Sequence, residues 1–305
     1  MEWQRLKTDQ YINLEKTLYS GQIFSFQRTG DNESTGIVEG FLVTFKQEKD
    51  VIYYKIFNYK ENVNYETVFW KFFTLDLNYK KIFKEWNDKI SKCRTETNSE
   101  NEQNYDLYGL SPFKENGLRL LRCDLKDTIF SFICSSNNNI KRITKMVLVL
   151  FSLGEYITTI NGKNFYHFPN PEELSDKEQF LRDNGFGYRA SYIAKTARLM
   201  TTMKYDQLYN RNYHWAFERL NRYSGISYKV ADCVCLLGLH FHDVVPIDIH
   251  IFRTAKRIFS IKEDRLSKRS YLNMQRRFQE FFGDYSGLAQ LVLFEESVKA
   301  HKSRK

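Results

Sequence analysis

A chain of 305 residues with 42% hydrophobic and 16% aromatic content can bury a sizeable core, and at this length it divides into two or three packed subdomains. Lys and Arg total 46 against 37 Asp and Glu, a formal net charge of +9 that points to a polyanionic partner. Five scattered cysteines argue against a disulfide framework, no run approaches the ~18 apolar residues of a membrane span, and Met1-Glu2-Trp3-Gln4-Arg5 has no apolar signal core, so a soluble protein of a reducing compartment is expected.

Phe41 to Lys46 and Val51 to Phe57 are rich in strand formers, and the polar Glu48-Lys49-Asp50 between them predicts an antiparallel hairpin. Around Val68 to Trp86 the apolar spacing turns helical, and the polar stretch from Ser91 to Asn104 reads as an exposed loop. From about Leu118 the chain becomes helical. Ile140, Ile143, Val147 and Leu150 fall at helical spacing, with Lys141, Arg142 and Lys145 on the other face. Further helices are expected over 172–183, 188–201, 206–222, 229–239, 249–259, 270–282 and 286–300. The expected fold class is α+β. A small antiparallel β-sheet domain spans 1–110 and packs on an all-helical body over 111–305, itself made of subdomains over roughly 137–200 and over 111–136 with 201–305.

Two of these helices are joined by Tyr223-Ser224-Gly225-Ile226-Ser227-Tyr228. Gly225 can take the positive φ of a tight turn there, and the free amides at the start of the next helix attract a phosphate. Lys229 lies in the first turn of that helix, near the positive end of its dipole and beside Val230, Cys233 and Val234. Both surroundings disfavour an ammonium and suit a nucleophilic amine, although a lone lysine at a helix start is usually a surface residue. Asp248 follows 19 residues later (248 − 229) within Val245-Pro246-Ile247-Asp248-Ile249-His250. The plain reading of this Asp is the N-cap of helix 249–259. A carboxylate that caps through one oxygen can still present the other, and opposite an amine it could stabilise a positively charged sugar in a glycosidic transition state.

These segments, with the string Lys229-Val230-Ala231-Asp232-Cys233, resemble the helix-hairpin-helix/Gly-Pro-Asp superfamily of DNA glycosylases, and within it the eukaryotic 8-oxoguanine DNA glycosylase/lyases. The resemblance extends over nearly the whole chain through Ser20-Gly21-Gln22-Ile23-Phe24, Ser135-Ser136-Asn137-Asn138-Asn139-Ile140, Gly185-Phe186-Gly187-Tyr188-Arg189-Ala190 and Gly287-Leu288-Ala289-Gln290-Leu291-Val292-Leu293-Phe294. It implies a bifunctional base-excision repair enzyme that flips 8-oxoguanine out of duplex DNA opposite cytosine. Lys229 would act as nucleophile and Asp248 as its charged partner, and β-elimination through a lysine imine would cut the strand. The lesion base would meet the carbonyl of Gly21, which accepts from the N7–H that guanine lacks. Gln290 would meet its Watson–Crick edge, and Cys233 and Phe294 its two faces. Asn137 would fill the hole left by the flipped base, Arg142 and Arg189 would read the estranged cytosine, and Tyr188 would wedge beside it. Gly225 of the hairpin and His250 would lie at phosphates. The resemblance also implies a monomer without metal or cofactor and without membrane contact. It implies a nuclear location, to which the basic His301-Lys302-Ser303-Arg304-Lys305 adds little, and a mitochondrial form stays open.

Taken singly, these residues have plainer readings: a turn glycine, an interhelix turn of asparagines, a core tyrosine at 188, a surface glutamine at 290, a core phenylalanine at 294 and a structural histidine at 250. Two hairpin positions depart from the family, where Pro is replaced by Ser224 and the second Gly by Ser227. If the second position needs a positive φ, Ser227 carries strain of ~1 kcal/mol or more. Phe26 stands where the family has Trp. Two rival functions remain. A monofunctional glycosylase for alkylated bases would use the aspartate alone and form no imine. A non-catalytic helix-hairpin-helix module would have no need of Lys229, Asp248, Gln290 and Phe294 together.

Overall fold

The computed structural model describes residues 2–96, 113–202 and 205–302. Two compact units emerge, each assembled from segments distant in sequence: Met1–Asp76 with Gly117–His240, and Leu77–Asn116 with Phe241–Lys305. A five-stranded antiparallel sheet near the N-terminus and a mostly helical remainder make the fold α+β, as expected.

In the first unit β1 (Gln4–Arg5), β2 (Gln27–Gly30), β3 (Glu33–Val38), β4 (Phe41–Glu48) and β5 (Val51–Ile56) lie in the order β1-β5-β4-β3-β2. The expected hairpin is β4–β5, with Phe45 opposite Tyr54 and Lys49 at the turn with φ 54°. The buried face of the sheet packs aromatic rings: Phe45 lies 5.0 Å from Phe69 and 5.1 Å from Phe73. Phe26, Phe45 and Phe72 stack mutually, Phe26 lying 6.0 Å from Phe45 and 6.2 Å from Phe72. Glycine is a weak strand former, but Gly36 has no alternative in β3, since a Cβ there would sit 2.6 Å from the Phe26 ring.

The buried Arg119 ties the segment leading into the helices to this layer. Its guanidinium donates to the carbonyls of Phe73 and Thr74 at 3.0 and 2.7 Å and to Gln10 Oε1 at 3.0 Å. A buried cation must be satisfied in this way or destabilise the fold. The helices Leu125–Ser135, Ile140–Phe151, Tyr188–Thr202, Tyr213–Leu220 and Tyr228–Leu237 follow. Between the second and third lies a hairpin, β6 (Tyr156–Ile160) and β7 (Lys163–Tyr166), turned by Asn161 and Gly162 with φ 47° and 75°. It falls outside the helical expectation for this part of the chain, although Asn-Gly between strand formers is a hairpin signal, because both central residues must take φ > 0.

The second unit holds the helices Tyr79–Glu96, Ile249–Ile258, Lys268–Phe282 and Ser286–Lys302. Trp86 centres its core, edge-on to Phe113 at 5.0 Å and to Phe282 at 5.2 Å, with its indole N–H donating to the Phe282 carbonyl at 3.0 Å. The single helical run expected around 68–86 is two helices, Tyr65–Phe72 and Tyr79–Glu96. Thr74 interrupts it at φ 49°, its hydroxyl donating to the Leu120 carbonyl at 2.8 Å, so tertiary hydrogen bonds override local periodicity. Where a loop is expected from Ser91, residues 91–96 continue the helix to Glu96; the rest of that stretch lies outside the described residues, as do Ser303 to Lys305. The expected helix 172–183 is two short ones, Pro171–Ser175 and Glu178–Asp183, and 206–222 is a 3-10 turn at Tyr205–Asn210 followed by Tyr213–Leu220. Among the described residues no helix is long and apolar enough to cross a membrane.

Candidate functional site

The hairpin in the first unit is built by three local devices. Gly225 takes φ 82°, and a Cβ there would lie 2.6 Å from the Tyr192 ring. The Ser224 carbonyl accepts from Thr196 Oγ1 at 3.0 Å. Ser227 has φ −79° and caps the helix Tyr228–Leu237, its hydroxyl accepting from Val230 N at 3.5 Å. The strain foreseen for Ser227 therefore does not arise: a cap wants extended backbone and a short hydroxyl, which serine supplies. Lys229 follows in the first turn, half-buried, with its Nζ 5.1 Å from the centroid of the Phe132 ring. Cys233 stands one turn further along the same helix face and is buried. Asp232, fully buried, accepts from the Tyr213 hydroxyl at 2.8 Å and so ties the two hairpin helices together.

The segment bearing Gly21 is fixed by Gln22. That side chain is buried, donates to the Arg119 carbonyl at 2.9 Å and accepts from Leu121 N at 3.0 Å, as a neighbouring strand would. Gly21 itself has φ 91°, and a Cβ would meet the Ile140 side chain at 3.2 Å. Two residues after Gln22, Phe24 packs edge-to-face on Phe132 at 5.9 Å.

The asparagine turn divides three tasks among three residues. Asn137 takes φ 47° and is exposed; Asn138 Nδ2 donates to the Cys134 carbonyl at 2.9 Å; Asn139 caps the next helix by accepting from Arg142 N at 3.0 Å. The segment 185–189 gathers on this turn. Arg142 donates to the Gly185 carbonyl at 3.0 Å, and the Tyr188 hydroxyl to the Ser136 carbonyl at 3.2 Å. Arg189 is buried, with its guanidinium on the carbonyls of Ser136 and Asn137. Tyr188, 47% exposed, meets Tyr192 at 5.6 Å, so the aromatic pair at i and i+4 links this cluster to the hairpin glycine. The contacts thus link Asn137, Arg142, Tyr188, Arg189 and, through Tyr192, Gly225 in one cluster, and the Gly21 segment to Lys229 in a second through Phe24 and Phe132. Gln22 and Phe132 carried no signal in spacing or composition; Tyr192 could have been found from its place four residues after Tyr188 on one helix face.

The second unit holds the other four residues. Asp248 caps Ile249–Ile258, its Oδ1 accepting from Ile251 N at 2.8 Å, which leaves Oδ2 outside the cap. His250 meets Phe294 edge-on at 5.8 Å, and its Nδ1 lies 3.5 Å from Ser297 Oγ. Phe294 and Gln290 are half-buried and stand one turn apart on Ser286–Lys302. Among the described residues no cluster of three or more His, Cys, Asp or Glu could hold a metal ion.

Family models cover most of the chain. One described as the 8-oxoguanine DNA glycosylase N-terminal domain matches residues 5–129, and one for HhH-GPD superfamily base excision DNA repair proteins matches 130–282. The N-glycosylase/DNA lyase of Saccharomyces cerevisiae is 41% identical over 222 residues, 62% of this chain and 58% of that protein's length. The Arabidopsis thaliana N-glycosylase/DNA lyase is 28% identical over 99% of this chain and 82% of its own. Among solved structures, MBOgg1 in complex with a low-affinity DNA ligand superposes with TM-score 0.79 at 25% identity, covering 99% of this chain and 100% of that one. The Clostridium acetobutylicum 8-oxoguanine glycosylase/lyase shares the fold with TM-score 0.77 at 22% identity, covering 99% of each chain.

Proposed function

Since this chain belongs to the 8-oxoguanine DNA glycosylase family of the HhH-GPD superfamily, we propose that it excises 8-oxoguanine opposite cytosine from duplex DNA and then cuts the abasic strand. The observation that carries this reading is Lys229: a half-buried amine in the first turn of a capped helix, directly after a positive-φ glycine hairpin. The hairpin amides and helix start hold a phosphate, and the flipped nucleotide presents its sugar to the amine.

The neutral amine of Lys229 bonds to C1′ of the deoxyribose. The glycosidic bond breaks, its electron pair leaves with the base, and the base takes up a proton. Asp248 stabilises the positive charge that builds on the sugar. Ring opening leaves an imine between Lys229 and the sugar; loss of a C2′ proton then expels the 3′ phosphate. Gly21, Gln290, Cys233 and Phe294 recognise the base. Asn137, Arg142, Tyr188 and Arg189 replace it and read the cytosine, and Gly225 and His250 serve phosphates. The place of action is the nucleus.

Borohydride reduces an imine to a stable bond. With 8-oxoguanine·cytosine duplex, the protein is expected to give a covalent cross-link, and Lys229→Gln to lose both cross-link and strand cutting while still binding duplex. Asp248→Asn is expected to slow excision by several orders of magnitude with binding retained. Excision without trapping would favour a monofunctional glycosylase, and binding without either would favour a non-catalytic module.

A further inference from the structure

The helix Tyr188–Thr202 presents Tyr188, Tyr192 and Thr196 in one stripe, each four residues from the next. At roughly 100° and 1.5 Å per residue, the three fall within about 80° of arc and span about 12 Å of the helix. Tyr188 carries the Arg189 guanidinium over its ring at 4.5 Å and meets the Tyr192 ring at 5.6 Å, with 65° between the planes. Tyr192, half-buried, takes the space that a side chain at position 225 would need: its Cδ2 and Cγ come within 2.6 and 2.8 Å of a Cβ built on Gly225. Thr196, fully buried, donates its hydroxyl to the Ser224 carbonyl at 3.0 Å.

Two consecutive hairpin residues are therefore gripped by the middle of the helix whose first turn carries Tyr188 and Arg189. That helix has little room to adjust. Its opposite face, formed by Ala190, Ile193, Ala194 and Ala197, is fully buried, and the helix packs against Leu125–Ser135, Pro171–Ser175 and Glu178–Asp183. A close-packed interior transmits a displacement rather than absorbing it. The place the hairpin takes on a phosphate is in this way passed along the stripe to Tyr188.

We propose that Tyr192 and Thr196 are positioning residues that couple the hairpin's hold on the DNA backbone to the wedge at Tyr188, so that preference for cytosine opposite the lesion depends on them. This rests on the glycosylase/lyase reading above, in which Gly225 serves a phosphate and Tyr188 and Arg189 meet the estranged cytosine. Neither Tyr192 nor Thr196 touches DNA in that scheme; both act through their neighbours in the stripe.

The test is single-turnover excision of 8-oxoguanine opposite cytosine and opposite adenine, with affinity for undamaged duplex and melting temperature recorded for each variant. Tyr192→Leu removes the ring between Tyr188 and Gly225. It is expected to lower the cytosine-to-adenine rate ratio on the order of 10-fold as the wedge loses its placement. Affinity for undamaged duplex is expected to fall much less, because the phosphate contacts remain. Tyr192→Phe keeps the ring and is expected to hold the wild-type ratio. Thr196→Val keeps the volume but loses the bond to Ser224, and is expected to lower the ratio roughly threefold. In a Tyr188→Ala background, Tyr192→Leu is expected to leave the ratio where Tyr188→Ala alone puts it, since the residue through which it acts is gone. A purely structural role would slow excision opposite both bases alike and leave the ratio at its wild-type value. That result in Tyr192→Leu, or in Thr196→Val should the leucine variant not fold, overturns the proposal and leaves the stripe as packing. A further fall of the ratio in the double variant overturns it as well. If wild-type protein excises equally opposite cytosine and adenine, the assignment of Tyr188 and Arg189 to the estranged base fails first, and this proposal with it.

Discussion

Gly225 illustrates how much one position can carry. It needs φ 82°, which costs other residues ~1–2 kcal/mol, and it has the Tyr192 ring where a Cβ would go. Gly225→Ala is expected to lower the melting temperature by several degrees and to weaken binding to undamaged duplex, since the hairpin amides shift from their alignment. Titration of a labelled duplex and a thermal melt check this; unchanged affinity would mean the hairpin does not hold the backbone. Ser227 teaches the converse. Its departure from the family glycine is harmless because that position is an N-cap at φ −79°, where serine is among the better residues.

At the scale of elements, the hairpin helices are joined by a buried polar link as well as by apolar packing. Tyr213 donates to the fully buried Asp232, three residues after Lys229 on the same helix. Removing the hydroxyl leaves a buried carboxylate short of a donor, so Tyr213→Phe is expected to cost ~1–3 kcal/mol. Urea unfolding measures this, and a loss well under 1 kcal/mol would show that the link is dispensable. Capping governs the edges of several elements: Asn139, Ser227 and Asp248 each accept from a backbone amide three residues on. Of these, the cap at Asp248 was read from the sequence, while Asn139 was read as part of an interhelix turn and Ser227 as a strained position. Thr74 was not legible there, because its left-handed backbone is fixed by Leu120 and Arg119, over 40 residues away.

For the whole molecule, the first unit contains a histidine whose titration couples to folding. His240 is pushed down to about 4, first by burial and then by the Arg122 charge, and its Nε2 is buried without a hydrogen-bond partner among the described residues. The unfolded chain binds that proton near 6.5 and the folded chain only near 4. Its contribution to stability is therefore fully present above about 6.5 and lost as pH falls toward 4. Asp127 has the opposite sign: burial, then the nearby Asp124 carboxylate, hold its carboxyl well above the usual range, so its contribution fades as pH rises. Comparing wild type with His240→Asn isolates the first effect, since asparagine tolerates the φ of 65° found there. Wild type is expected to lose about 2 kcal/mol more than the variant between pH 7 and pH 5. Parallel urea midpoints for the two proteins would show that His240 does not couple to unfolding.

The amino-acid sequence by itself determined the α+β class, the β4–β5 hairpin and most helix starts, and it nominated the residues proposed for base, sugar and phosphate. These are local matters: caps reach three residues, hairpins need their turn residues, and a run such as Lys229-Val230-Ala231-Asp232-Cys233 keeps its meaning wherever it folds. What tertiary structure alone decided is which partners those residues have. Phe132 lies beneath Lys229 from 97 positions earlier (229 − 132), Gln22 is bonded to the segment at Arg119, and Tyr192 fills the space against Gly225. No periodicity records such pairings, because an apolar face states only that it will be buried. Which ring meets which amine depends on how close-packed layers interlock, and that is settled by shape and volume across the whole unit.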